Sequence, residues 1–244
     1  MDSIVAGYLG SIEMGDVTTV GRIGLVPLFN GTKVSTPYIA LKTALERGTL
    51  LVEEAHESGT VGRLKVTNTG ALPVLLLDGE ELAGAKQNRV LNTTILVPAN
   101  GKTLIPVSCT EQGRWSYVSS RFEESLSVAP PRLRRSNQSA VAESLRVSGQ
   151  FAGNQSEVWS RVQEISDEAA VHSSTSAMRD VFRERLPALD EVLHNIHQLH
   201  HTRTCVDGIE CEWDMHKGNH FIDLCALETA DADLDLPPYA FVMH

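Results

Sequence analysis

The chain has 244 residues, of which 42% are hydrophobic, and it carries a formal net charge of -10. This length allows one large domain or two small ones with a substantial buried core. The acidic balance argues against broad binding to nucleic acids or to anionic membranes, because both carry negative charge.

The sequence also bears on the cellular compartment. Residues 1–16 have no basic segment followed by an apolar one, and no apolar stretch reaches the length of a membrane span. We therefore expect neither a signal peptide nor a transmembrane helix. The four cysteines are too few to indicate a disulfide framework, so we predict a cytoplasmic protein with reduced thiols.

Residues 1–122 alternate short apolar runs with turn residues, which predicts a β-rich core. A strand ends at the Asn30-Gly31 turn, and a helix over residues 38–47 stops at Gly48. Three further strands are expected between residues 49 and 78, the last ending at the Asp78-Gly79 turn. The segment 95–109 is typical of a hairpin that turns at Asn100-Gly101.

Composition changes after the strands. Residues 123–138 are rich in Pro, Ser and Arg, which predicts a linker or exposed loop. Helical spacing then predicts a helical region over residues 139–199, with one helix capped by Ser156 and a second beginning after Ser174-Thr175. Residues 200–244 lack regular spacing, and we expect a loosely ordered tail. The fold class is α+β: a mostly antiparallel β-sandwich or barrel-like core followed by helices.

Two polar clusters, DGEE…KQNR over residues 78–89 and CTEQGRW over residues 109–115, flank strands that should be buried. Polar groups beside a buried sheet are costly unless they pair with each other or with a ligand. A cation next to an amide suits a phosphate or carboxylate group, and a glutamate can serve as a base. The candidate bases are Glu80, Glu81 and Glu111, and the candidate ligand-binding residues are Lys86, Gln87, Asn88, Arg89, Asn92, Gln112 and Arg114.

Other interpretations of these residues remain open. The same clusters could form a structural ion-pair network in which Glu80 or Glu81 pairs with Lys86 or Arg89. Cys109 is either a buried structural cysteine or, with a base supplied by the fold, a nucleophile. No phosphate-loop or dinucleotide fingerprint occurs in this stretch, so no cofactor is assigned.

Longer strings carry a resemblance. GEELAGAKQNRVLNTTILVPA, PVSCTEQGRW, QSEVWSRVQEI and SSTSAMRDVF resemble the ARG and rhodanese-phosphatase-superfamily-associated protein domain family, where ARG denotes ADP-ribosylglycohydrolase. The resemblance covers about residues 5–195 and leaves the C-terminal tail unmatched. It implies that the chain senses or processes ADP-ribose-like or NAD-derived compounds. The positions that match are Glu80, Glu81, Lys86, Gln87, Asn88, Arg89, Asn92, Cys109, Glu111, Gln112 and Arg114.

Histidine and cysteine are concentrated near the C-terminus. His197 and His201 have the spacing that two zinc ligands on one helix use, and Cys205 and Cys211 follow. No CxxC pair is present, so the usual spacing of a structural zinc site is missing. We predict that this region holds no metal.

Two classes of function fit these observations. The first is an enzyme or sensor for a small phosphate-bearing, nucleotide-like ligand, and the second is a non-catalytic interaction module whose polar clusters hold the fold together. The first hypothesis predicts that Lys86, Arg89, Glu111 and Arg114 converge in one pocket. Binding of ADP-ribose, NAD or mononucleotides separates the two classes.

Overall fold

The computed structural model describes residues 3–14, 17–20, 23–25, 28–30, 37–56, 59, 61–185, 187, 222–223 and 242–243. The helices are α1 (Ser3–Gly10), α2 (Leu41–Glu46), α3 (Pro131–Ser148), α4 (Gln155–Glu168) and α5 (178–185). The first strands are β1 (Ile12–Met14), β2 (Thr18–Val20), β3 (Ile23–Leu25), β4 (Leu28–Asn30), β5 (Ile39–Ala40), β6 (Leu50–Glu54) and β7 (Arg63–Asn68). They are followed by β8 (Val74–Leu76), β9 (Glu80–Gly84), β10 (Arg89–Leu91), β11 (Ile95–Val97), β12 (Lys102–Cys109), β13 (Phe122–Val128), β14 (Ile222–Asp223) and β15 (Val242–Met243).

A six-stranded antiparallel sheet forms the centre of the fold. Its strands run in the order β13-β9-β10-β12-β7-β6. The two edge strands, β13 and β6, lie against each other, so the sheet is curled into a nearly closed barrel. This confirms the predicted α+β class with a mostly antiparallel, barrel-like core.

Alternate residues of these strands face the barrel interior, because side chains change face at every position along a strand. Leu50 and Val52 of β6, Leu64 of β7 and Val107 of β12 belong to one buried apolar cluster. The register pairs Leu91 of β10 with Val107, which places both on this inner face.

A second, smaller sheet in the order β11-β8-β5 lies beside the barrel. The predicted turns at Asp78-Gly79 and Asn100-Gly101 are confirmed: the Glu80 amide donates to the Leu77 carbonyl, and Asn100 has a φ of 51°. The hairpin predicted over residues 95–109 is wrong, because β11 pairs with β8 and β12 pairs with β7 and β10. Each turn therefore carries the chain from one sheet to the other.

Helices α3, α4 and α5 cover the outer face of the barrel. Leu133 of α3, Val158 and Val162 of α4, and Met178 of α5 form a second apolar cluster with Val90, which faces outward from β10. The predicted starts of α4 and α5 are close to those observed, although Asn154 rather than Ser156 caps α4. No helix within the described residues is long and apolar enough to cross a membrane.

The linker predicted over residues 123–138 is wrong. Phe122–Val128 is the edge strand β13, and α3 begins at Pro131, where proline suits the first helical position. Of the atypical segment 200–244, only the short antiparallel pair β14 and β15 is described. The rest of that segment lies outside the described residues, and so do the candidate metal ligands His197, His201, Cys205 and Cys211.

Candidate functional site

At one end of the barrel, the inward-facing positions change from apolar to charged. Glu54 follows Leu50 and Val52 on the inner face of β6, and Arg89 precedes Leu91 on the inner face of β10. The register places Arg89 opposite Cys109 of β12, so the thiol also faces inward. Mouths of β-barrels are common places for small-molecule sites, because the strands fix the side chains while the end stays reachable.

Arg89 and Glu54 form a buried ion pair at this end. The Arg89 side chain has no exposed surface, and its Nη2 lies 3.5 Å from Glu54 Oε1. Arg89 Nη1 donates to Gln87 Oε1 at 3.0 Å and also contacts Cys109 Sγ. Among the described residues, Arg89 Nε and Nη2 and both Glu54 carboxylate oxygens have no hydrogen-bond partner. Buried polar atoms of this kind are rare in folded proteins.

Three side chains of the barrel mouth lie around this pair. The Trp115 ring lies over the Arg89 guanidinium, with 5.6 Å between Cζ and the ring centroid. Lys86 Nζ lies 5.5 Å from the Trp115 centroid and 5.0 Å from the Tyr117 centroid. Trp115 and Tyr117 are about half exposed, at 48% and 50%. The mouth therefore combines two cations with aromatic rings that solvent reaches.

Glu111 and Arg114, predicted as base and ligand-binding residue, bind each other. Arg114 Nε and Nη2 donate to the two Glu111 carboxylate oxygens at 2.9 and 2.6 Å. Thr175 Oγ1 and the Asn88 backbone amide donate to the same carboxylate. Burial would raise the pKa of Glu111, but these hydrogen bonds outweigh it and bring the pKa below its usual range. This is a structural ion-pair network, but its members differ from the predicted pairing of Glu80 or Glu81 with Lys86 or Arg89. Arg89 pairs with Glu54 instead.

Glu81, a second predicted base, lies on the outer face of the sheet beneath the helices. Its carboxyl group accepts hydrogen bonds from Thr110, Ser125 and Ser127. Burial raises the pKa of Glu81, and the three hydroxyl groups offset only part of that effect. Because neighbouring positions of a strand face opposite sides, Glu81 is separated by the sheet from the inward-facing Arg89.

The remaining predicted residues occupy several places. Glu80 accepts a hydrogen bond from the Leu77 amide at the far end of β9, and Gln112 is exposed. Asn88 Oδ1 accepts from Arg114 Nη2 at 3.3 Å. Asn92 joins Ser108 and Asn137 between the barrel and α3. Of the predicted set, only Lys86, Gln87 and Arg89 belong to the barrel mouth described above.

Both backbone polar groups of Cys109 are hydrogen-bonded to one side chain. Gln155, the first residue of α4, donates to the Cys109 carbonyl at 2.8 Å and accepts from its amide at 2.7 Å, as a neighbouring strand would. Burial raises the pKa of the Cys109 thiol to about 11, so the thiol is protonated at neutral pH. This environment suits a structural cysteine better than a nucleophile.

Glu54 was not among the residues singled out from the sequence. The run LLVEE does contain a signal, because Glu54 occupies the same alternate positions as the buried Leu50 and Val52. A charged residue at a strand position that shares its face with buried apolar residues indicates a buried ionic group. Arg89 shows the same signal in phase with Leu91.

A separate groove of about 920 Å³ lies between α3 and α4. Its charged lining includes Arg132, Arg135 and Arg161 together with Glu143 and Glu157, and none of the predicted site residues lines it. Within the described part of the chain, no group of three or more His, Cys, Asp or Glu side chains is arranged to hold a metal ion.

Comparisons with known proteins give one match. A family model described as the ARG and Rhodanese-Phosphatase-superfamily-associated Protein domain, ARPP-1, matches residues 11–210. The resemblance in the sequence was given as about residues 5–195, and the match extends beyond it, into the first residues of the tail that the resemblance left unmatched. Searches of curated proteins and of solved structures give no match. Because the family model covers most of the chain, the protein belongs to the ARG and Rhodanese-Phosphatase-superfamily-associated Protein domain family.

Proposed function

We propose that the barrel mouth formed by Lys86, Arg89 and Trp115 binds a phosphate-bearing, ADP-ribose-like ligand. The observation that carries the proposal is the wholly buried Arg89 guanidinium, two of whose nitrogens have no hydrogen-bond partner among the described residues. Removing a charged group from water costs several kcal/mol, on the order of the penalty estimated for single buried ions. A ligand oxygen bound to those nitrogens would offset part of that cost.

The residues around Arg89 favour a ligand with a ring and a phosphate. Lys86 supplies a cation close to the surface, where a phosphate group stays partly hydrated. Trp115 and Tyr117 offer half-exposed aromatic faces, on which a nucleobase can stack. The association of the family with ADP-ribosylglycohydrolases is consistent with an ADP-ribose-like compound.

The three glutamates predicted as general bases do not favour hydrolysis at this site. Two of the predicted bases, Glu81 and Glu111, have their carboxylates occupied by hydroxyl, amide and guanidinium donors. Glu80 accepts from a backbone amide at the opposite end of β9. A general base needs a free carboxylate oxygen within reach of the proton that it removes, and the carboxyl groups of all three already accept hydrogen bonds.

The proposal is tested by calorimetric titration of the folded chain with ADP-ribose, NAD, AMP and inorganic phosphate. We expect saturable binding of ADP-ribose, weakened at least tenfold, about 1.4 kcal/mol, in Arg89→Ala and in Lys86→Met. Lys86→Met keeps the proposal testable should the buried substitution prevent folding. Lys65→Met is the matched control and should leave the affinity unchanged. Lys65 faces outward from β7 and pairs with Glu53 of the neighbouring strand β6.

Two results would contradict the proposal. One is an absence of saturable binding to folded wild-type protein at millimolar ligand, and the other is equal affinity in wild type and Lys86→Met. The second candidate function, a non-catalytic interaction module, would then stand. That function is supported by the closed Glu111–Arg114 network and by the exposed side chains of Trp115, Tyr117 and Val118.

A further inference from the structure

We propose that Glu54 makes the barrel mouth selective for a ribose with free vicinal hydroxyl groups; the inference rests on the proposed function. Glu54 is the last residue of β6, and its side chain faces the barrel interior beside Arg89. Only 4% of that side chain is exposed. It was not identified as a site residue from the sequence, and it belongs to neither polar cluster.

The hydrogen-bonding capacity of Glu54 is unused by the described residues. Neither carboxylate oxygen has a hydrogen-bond partner there, although each can accept two hydrogen bonds. The nearest cationic atom, Arg89 Nη2, is 3.5 Å away and contributes charge without a hydrogen bond. The group that fits this carboxylate is therefore a pair of neighbouring O–H donors.

Arg89 narrows the choice of ligand group further. Its Nε and Nη2 present N–H donors beside a carboxylate that only accepts. A phosphate would satisfy Arg89 but would be repelled by Glu54. A hydroxyl group donates to a carboxylate and accepts from a guanidinium at the same time. A carboxylate that holds a ribose hydroxyl is a recurring arrangement in nucleotide-binding proteins.

The position of Lys86 gives the phosphate a separate place. Its ammonium group lies above Trp115 and Tyr117, nearer to solvent than the Arg89–Glu54 pair. A sugar placed against Glu54 and a phosphate placed against Lys86 would extend along one line from the barrel interior to its mouth. This order matches a phosphate ester of a ribose and not a free phosphate ion.

The Trp115 ring covers Arg89, and we expect it to move when a ligand reaches the neighbouring Glu54. The packing leaves little free room: a Cβ built on Gly59 would lie 3.0 Å from Lys86 Cδ and 3.2 Å from Trp115 Cζ2. The contacts of the ring with the two cations are modest in strength, and a bound ribose and a stacked base can replace them. Ligand binding should therefore change the fluorescence of Trp115.

The test compares ADP-ribose with its two analogues that lack the 2-hydroxyl of one or the other ribose. Affinity is measured by calorimetry and by tryptophan fluorescence, with Trp115→Phe identifying the responding residue. We expect wild type to bind ADP-ribose at least tenfold more tightly than one of the two analogues. In Glu54→Gln this ratio should fall towards one, because the amide has only one acceptor oxygen.

Glu53→Gln is the matched control, because the neighbouring Glu53 pairs with Lys65 and lies on the opposite face of β6. The ratio should be unchanged in that variant. If wild type binds ADP-ribose and both analogues with equal affinity, the role of Glu54 is overturned and the proposed function stays intact. An unchanged ratio in folded Glu54→Gln does the same. If wild type binds none of the three compounds, the proposed function itself fails. Should Glu54→Gln not fold, equal affinity of wild type for ADP-ribose and both analogues would still overturn the role of Glu54.

Discussion

At the scale of single residues, two buried glutamates show how hydrogen-bond partners set the direction of a pKa shift. Glu111 faces a guanidinium, a hydroxyl and an amide, and its pKa is lowered. Glu81 faces only hydroxyl groups at hydrogen-bond distance, and burial raises its pKa. Glu81 Oε2, Ser125 Oγ and Ser127 Oγ lie in mutual contact. Both serine hydroxyls can donate to this oxygen, which leaves the carboxyl group without a cationic hydrogen-bond donor.

The raised pKa of Glu81 predicts how stability depends on pH. The folded state holds this proton more tightly than the unfolded state, so the contribution of Glu81 is complete below the unfolded pKa, near 4.5, and is lost as pH rises through the folded pKa. We expect wild type to lose stability relative to Glu81→Gln as pH rises from 4.5 to 8, by at most about 1.4 kcal/mol per pH unit. Urea unfolding of both proteins across this range measures the difference.

Glu111→Gln is a control with the opposite sign. The lowered pKa of Glu111 stabilises the fold above pH 4.5, and this contribution is lost as pH falls through the folded pKa. The variant should be less stable than wild type by about 1–3 kcal/mol at pH 7, with a gap that closes in acid. Parallel pH profiles for the two variants would contradict the opposite directions of the two pKa shifts.

At the scale of secondary-structure elements, the start of α4 is fixed to the outer face of the barrel. Gln155 pairs with the Cys109 backbone, and Asn137 of α3 donates to Asn92, which also accepts from Ser108. Gly153 lies within this junction, where a Cβ atom would come 2.2 Å from Asn137 Oδ1 and 2.7 Å from Ser108 Oγ. The Asn137 and Ser108 side chains, which hydrogen-bond to Asn92, therefore occupy the space that a side chain on residue 153 would need.

Gly153→Ala should therefore destabilise the protein by about 1–3 kcal/mol, as overpacking of a filled interior does. Thermal or urea unfolding gives the value. Gly62→Ala is the matched control, because a Cβ there meets no atom within 4 Å. Equal stability of the two variants would show that the junction can open without cost.

The sequence predicted individual elements better than their partners. Strands β6, β7 and β8 and helix α2 follow from short apolar runs that end at turn residues. Strand β13 was missed because two of its polar residues, Ser125 and Ser127, are buried. They donate hydrogen bonds to Glu81 of β9, a partner that is distant in sequence and that no local pattern reveals. Among the site residues, Lys86, Gln87 and Arg89 do come together at the barrel mouth, whereas Glu54 comes from a strand distant in sequence.

At the scale of the whole molecule, two apolar clusters share one sheet. Leu91 of β10 faces the cluster inside the barrel, and the neighbouring Val90 faces the cluster under the helices. A strand that belongs to both clusters cannot unfold from one without exposing the other. The barrel and the helical layer should therefore unfold together, in spite of the change in composition between them.

This coupling predicts one unfolding transition. Leu64→Ala in the barrel and Leu133→Ala in α3 remove side chains with no exposed surface. Each should lower the free energy of unfolding by about 2–5 kcal/mol and move the same transition, followed by circular dichroism and tryptophan fluorescence. If the two variants shift two separate transitions, the barrel and the helices are independent units.

Closure of the barrel also sets the order in which the chain can fold. Strand β13 pairs with β9 and lies against β6, and all three are separated by long stretches of sequence. Such distant contacts form only when long loops close. Closing a loop costs conformational entropy before the new contacts stabilise the fold. Folding should therefore take on the order of milliseconds to seconds. Until β13 pairs with β9, the edge of β9 is open to strands of other chains. Aggregation should therefore compete most strongly when the protein refolds at high concentration.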